Sequence, residues 1–69
     1  MTVGQRIKQL RQERCWSKGR LAREMDITYS HNISVWENDQ AEPRLYAFFK
    51  LCRALNISMD EFMKGVDLE

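Results

Sequence analysis

From Val3 to Met63 the apolar residues of this chain recur three and four apart, interrupted only by short polar segments. That spacing lines one face of an α-helix; a strand would alternate at every second residue. Val3, Ile7 and Leu10 form the first stripe, with Arg6, Lys8, Gln9, Arg11 and Gln12 off it, and predict a helix over Val3 to Arg14. Ser17 then offers a hydroxyl to an orphan amide of the next turn, so a second helix is expected over Lys18 to Met25, with Leu21, Ala22 and Met25 inward and Gly19 as its weak point. Asp26-Ile27-Thr28 reads as a turn: a residue tolerant of left-handed geometry, an apolar plug and a capping type. A third short helix, Tyr29 to Glu37, turns Ile33 and Trp36 inward. The run Glu37 to Pro43 is turn chemistry and ends it. Beyond it, Leu45, Phe48, Phe49, Cys52 and Leu55 predict the strongest helix, leaving at Asn56. Ser58-Met59-Asp60-Glu61 has the pattern of a capping box, opening a last helix of one or two turns that buries Phe62 and Met63. The expected fold class is all-α, a compact bundle of five helices.

The chain has 69 residues, room for one domain over residues 1–69, and a domain that small buries only about 60% of the surface its unfolded chain exposes. An elaborate active site is not expected, and no nucleophile–base pair, phosphate loop or metal cluster stands out. Cys15 and Cys52 are too few and too far apart for a disulfide framework, and with His31 as the one histidine they leave no zinc-ligand set. Two reduced thiols are the expectation. No apolar stretch is long enough to span a membrane, and the first residues lack the apolar core of a signal peptide, so a cytoplasmic location is expected. The closing Leu68-Glu69 has the look of a scar left beside a tag and carries no weight.

The net charge of +1 hides an uneven distribution. Met1 to Arg23 holds seven basic residues against one acid, a local +6, whereas Glu24 to Glu69 holds four against nine, a local −5. Opposite halves suggest one face for a polyanion and another that avoids it. A solvated helix face is the plain alternative.

Two short helices joined by a brief turn form the unit whose second helix fits the major groove of DNA. At this point the residues resemble a known family. Gly4-Gln5-Arg6-Ile7-Lys8-Gln9-Leu10-Arg11, Trp16-Ser17-Lys18 leading to Leu21-Ala22, Ile27-Thr28, Ile33-Ser34-Val35-Trp36-Glu37, Glu42-Pro43 and Leu51 to Phe62 follow in order the pattern of the phage-repressor/Cro-like (XRE-type) helix-turn-helix family. The resemblance runs from Val3 to about Gly65. It implies a five-helix, lambda-repressor-like domain in a prokaryotic or phage-like setting, acting at the nucleoid. It also implies binding to double-stranded operator DNA, usually palindromic, as a homodimer that regulates transcription, with repression the commoner outcome.

Residue by residue, the resemblance places Ser30, His31, Asn32 and Val35 toward the bases. Asn32 suits a bidentate pairing with adenine and Val35 a thymine methyl. Lys18, just after the helix-two cap where the family usually has glutamine, falls at a phosphate. Arg44, after Pro43, falls at a phosphate or the narrow groove. Tyr29 and Arg11 join this backbone-contacting set. Glu37 is expected to tie the end of helix three to a basic residue of helix one, Arg6 or Arg11. Trp36 is expected in the core and Trp16 as a staple against helix two. Of the adjacent Phe48 and Phe49 one must face away, toward a dimer surface to which Met59, Phe62 and Met63 also contribute.

Three departures from the family pattern stand out. Ile27 to Ile33 is one step longer than usual, and an extra residue within a helix rotates all that follows by about 100°, so the insertion belongs in the turn or at the start of helix three. Asp26 and Asp39 occupy positions where glycine is usual and bring negative charge toward the phosphates. Tyr29 and His31 replace small or amide residues. A rival reading follows: an interaction module, or an antitoxin-type protein, in which DNA binding is weak or lost and the domain docks a protein partner.

Overall fold

The computed structural model describes residues 1–67; Leu68 and Glu69, and with them the tag-scar reading, lie outside the described residues. Five helices follow one another: α1 (Val3–Glu13), α2 (Lys18–Glu24), α3 (His31–Glu37), α4 (Leu45–Leu55) and α5 (Met59–Met63). Thr2 opens α1 with a complete capping box, its hydroxyl accepting from Gln5 N at 3.1 Å and its own amide donating to Gln5 Oε1 at 2.8 Å. Ser17 accepts from Arg20 N and so fixes the start of α2. Ser58 accepts from Glu61 N, but the return half of that box is missing and the Glu61 carboxylate lies 3.4 Å from Lys64 Nζ instead.

The first four helices end alike. After α1, α2, α3 and α4 the chain passes through one left-handed residue, Cys15, Asp26, Asp39 and Asn56, with φ between 56° and 59°. In each case the next amide (Trp16, Ile27, Gln40, Ile57) reaches back to a carbonyl five residues earlier. This is the Schellman closure, in which a left-handed residue lets two otherwise orphaned carbonyls find donors. Trp16, Ile27 and Ile57 follow the left-handed residue and pack against the core, so each exit also pins its helix to the bundle.

Ile7, Leu21, Ile33, Leu51, Leu55 and Phe62 are fully buried and draw one residue or more from every helix. The five-helix, strand-free expectation therefore holds among the described residues. Trp36 belongs to this core, and Trp16 is half-buried against it. One part of the α4 stripe is corrected. Leu45 and Phe49 are exposed, at 78% and 43%, and the buried face is Phe48, Leu51, Cys52 and Leu55. Phe49 sits about 100° round the helix from Phe48, whose ring meets Phe62 edge-on at 4.9 Å. Phe62 itself is sealed inside and offers nothing to a dimer surface, contrary to expectation.

Candidate nucleic-acid interface

The helix-turn-helix pair is α2 and α3, and its turn is longer than the sequence pattern implied. The third helix, expected over Tyr29 to Glu37, begins only at His31; α2 ends at Glu24, with Met25 as its buried cap. Ser30 has helical backbone angles, and its carbonyl takes the first bonds of α3, from Ile33 N at 2.9 Å and Ser34 N at 3.3 Å, but its hydroxyl caps nothing. The extra residue is thus absorbed by Thr28, Tyr29 and Ser30 ahead of the helix. Because it never enters α3, the register survives: Ile33, Trp36 and Glu37 are buried together.

That register decides which side chains face outward. His31 and Val35 lie on the side of α3 away from Ile33, with Asn32 and Ser34 on the two flanks. His31, Asn32 and Ser30 are exposed, while Val35 is half-buried and leans on the core, offering only part of its side chain. Tyr29 projects from the turn at 71% exposure. Arg44 is exposed at the start of α4, its side chain making no cap bond. Lys18 crosses from the first turn of α2 to α3, where Nζ donates to Ser34 Oγ at 3.1 Å.

Arg11 does not belong to this surface. Expected at a phosphate, it is 8% exposed, with Nε and Nη2 donating to the two carboxylate oxygens of Glu37 and Nη1 to Trp16 O at 2.8 Å. The hydrogen bond to Glu37 raises the guanidinium above its ordinary value, outweighing the opposing effect of burial. Each of its three nitrogens donates internally and the side chain is withdrawn from solvent, so it does not face outward with the α3 side chains.

The basic first third needs the same correction. Arg6 donates to Phe62 O and Glu61 O, each at 2.8 Å, and Arg14 to Leu55 O at 2.7 Å. These carbonyls lie in the last turns of α5 and α4, where the dipole is negative and few amides follow; Glu61 O also accepts from Lys64 N at 3.3 Å. Arg20 pairs with Glu24 at 2.8 Å and stacks on Trp16 at 5.1 Å. The local +6 is therefore largely a scaffold charge. Lys8 and Arg23 are exposed and make no ion pair among the described residues.

A family model described as a helix-turn-helix domain matches residues 4–68. The chain belongs to the helix-turn-helix domain family. A search of curated proteins finds no match. Within this helix-turn-helix domain the two acidic departures resolve differently. Asp39 turns its carboxylate back to the start of α1, accepting from Gly4 N at 3.1 Å and from Thr2 Oγ1 at 2.8 Å. Its negative charge is thereby placed at the positive end of a helix dipole. Gly4 permits this closeness: a Cβ there would collide with Trp36 O and come within 2.6 Å of Asp39 Oδ1. Asp26 makes no such bond and stays exposed in the lengthened turn.

Ser34 is the residue that pattern reading passed over. Nothing in the sequence links it to Lys18, sixteen positions earlier; only the packing of α2 on α3 does. Among the described residues no cluster of His, Cys, Asp or Glu is able to hold a metal ion, and no helix is long and apolar enough to cross a membrane.

Proposed function

We propose that this helix-turn-helix domain is a sequence-specific transcriptional regulator, a repressor that occupies a palindromic operator as a homodimer in the cytoplasm. The observation that carries the reading is the intact register of α3, with Ile33, Trp36 and Glu37 buried and Ser30, His31 and Asn32 exposed at its N-terminal end. That is the end of a recognition helix that meets base edges. In this reading Asn32 pairs with adenine, His31 and Ser30 reach neighbouring edges, and the outer part of Val35 touches a methyl group. Tyr29 and Arg44 contact the backbone from the two sides, and Lys18 brings positive charge to the α2 edge of the groove.

One domain measures 31 × 24 × 23 Å and covers only a half-site. Two copies side by side would set their recognition helices about one turn of DNA apart, roughly 34–36 Å. The exposed Phe49 and Met59 provide apolar surface for that pairing, with the Arg53 guanidinium 5.6 Å from the Phe49 ring. The same exposed surface also supports the second reading, in which it docks a different protein and the acidic turn has weakened DNA binding.

The deciding experiment is selection of bound sequences from random duplex, followed by affinity measurements across salt. A palindromic motif, with affinity falling on the order of 10³-fold between 50 and 200 mM salt for about six phosphate contacts per dimer, supports the regulator. Binding no stronger to any fragment than to random duplex, together with co-purification of a partner protein, overturns it.

A further inference from the structure

The Lys18–Ser34 bond has a chemical consequence for which bases this domain reads. Lys18 is the first residue of α2, directly after the Ser17 cap, and in an extended conformation its amine would stand over that helix end. Instead the side chain is half-buried and lies across to α3, where Nζ donates to Ser34 Oγ at 3.1 Å. No carboxylate lies within ion-pair distance of it among the described residues. The ammonium has three protons and gives one to Ser34, which leaves two for an acceptor outside the domain. The hydroxyl, having accepted, still has its own proton to give. Ser34 stands one turn beyond His31 and one turn before Asn38, so the pair continues the row of side chains along one flank of the recognition helix.

We infer that Lys18, oriented by Ser34, is a base-reading residue that selects guanine, and that Ser34 is its positioning residue. The lysine ammonium presents only donors outward, and of the four bases guanine alone shows two acceptors, O6 and N7, on its major-groove edge. Adenine pairs its acceptor with a donor amine that would face the ammonium; thymine has one acceptor beside a methyl; cytosine offers a donor. A phosphate-contacting lysine has no need of a partner on the recognition helix, and the bond to Ser34 draws the amine toward α3.

This rests on the regulator reading, and the experiment separates the two. Binding-site selection is run on the wild-type domain and on Lys18→Gln, Lys18→Met and Ser34→Ala, with urea midpoints confirming that each variant folds. The wild type is expected to select a motif with one guanine per half-site that depends on this pair. Lys18→Met should lose about tenfold or more of the preference at that base pair alone. Lys18→Gln should shift it toward adenine, the base whose donor and acceptor glutamine matches. Ser34→Ala should weaken the preference at the same base pair, with Lys18→Met/Ser34→Ala no worse than Lys18→Met. If Lys18→Met instead weakens every sequence equally and lowers the salt slope by about one per protomer, Lys18 is a phosphate contact and the inference falls while the regulator stands. A wild type that selects no motif overturns both, before any substitution is made.

Discussion

Arg11 and Glu37, on α1 and at the end of α3, meet in a two-point ion pair, Nε to Oε2 at 2.7 Å and Nη2 to Oε1 at 3.0 Å, with both side chains almost wholly withdrawn from solvent. The pair joins α1 to α3. Gly4 and Asp39 join the same two segments one step away, so the tilt of α3 is fixed at two points.

Removing one partner strands the other charge in the interior. Glu37→Ala or Arg11→Ala is therefore expected to cost about 3–5 kcal/mol, most of what a domain of this size has. Replacing both with apolar residues of similar volume, Arg11→Met with Glu37→Leu, should recover most of that loss, because no buried charge is left unpaired. Urea midpoints of the three variants decide it. Additive losses in the double variant would show that the pair is not coupled.

The left-handed exits give a second contrast. A left-handed backbone costs a non-glycine residue about 1 kcal/mol, and Asp26 bears that strain with its side chain exposed and making no hydrogen bond among the described residues. Asp26→Gly should stabilise the domain by about that amount and, by removing negative charge from the turn, tighten binding to any duplex. Asp39→Gly relieves the same strain but deletes two hydrogen bonds to the start of α1, worth about 1 kcal/mol or more each, so it should destabilise. Thermal melts of the two variants should move in opposite directions.

How far this was legible in the sequence follows from which interactions are local. Apolar spacing and capping residues act within a few positions, so the helices, the Ser17 cap and the left-handed Asp26 and Asn56 could be read directly. Arg6 and Arg14 could not, and Arg11 only in part: the resemblance offered Glu37 a partner in Arg6 or Arg11, and the folded packing selects Arg11. Each sits on a surface-like helical position, and only the folded packing shows that Arg6 and Arg14 serve carbonyls of α5 and α4. Counting charge along the chain therefore overstated the basic face. The site residues split the same way: the resemblance pointed to the exposed Ser30, His31 and Asn32, but Ser34 became visible only through Lys18.

The two cysteines should behave as different chemicals. Cys15 is exposed and Cys52 buried, and burial raises the Cys52 thiol above its ordinary range by disfavouring the thiolate. A thiol reagent should consume Cys15 at once and Cys52 only as the domain opens. The sign for stability follows: the folded state holds its proton where the unfolded state releases it. The stabilisation is thus complete below the ordinary thiol range and lost as pH rises through the folded value. Between neutral pH and about pH 9.5, past the ordinary thiol pKa of about 8.5, the wild type should lose more stability than Cys52→Ala. Parallel losses in the two proteins would mean that the thiol stays protonated in both states.

The division between scaffold cations and DNA-facing cations is open to the most direct test. Arg6 and Arg14 donate to helix-end carbonyls, and hydrogen bonds to a charged group contribute about 1.5–3 kcal/mol. Arg6→Ala and Arg14→Ala should each lower the urea midpoint while the folded protein keeps its slope of log affinity against log salt. Arg44 is exposed and makes no cap bond, so Arg44→Ala should leave the midpoint in place and reduce that slope by about 0.9 per protomer, the release of one phosphate's counterion. Fluorescence anisotropy on a labelled duplex over a salt series measures the slope, and denaturation of the same samples measures the midpoint. If Arg6→Ala or Arg14→Ala flattens the salt dependence as Arg44→Ala does, those arginines leave the helix ends to meet DNA, and the basic first third faces the duplex after all.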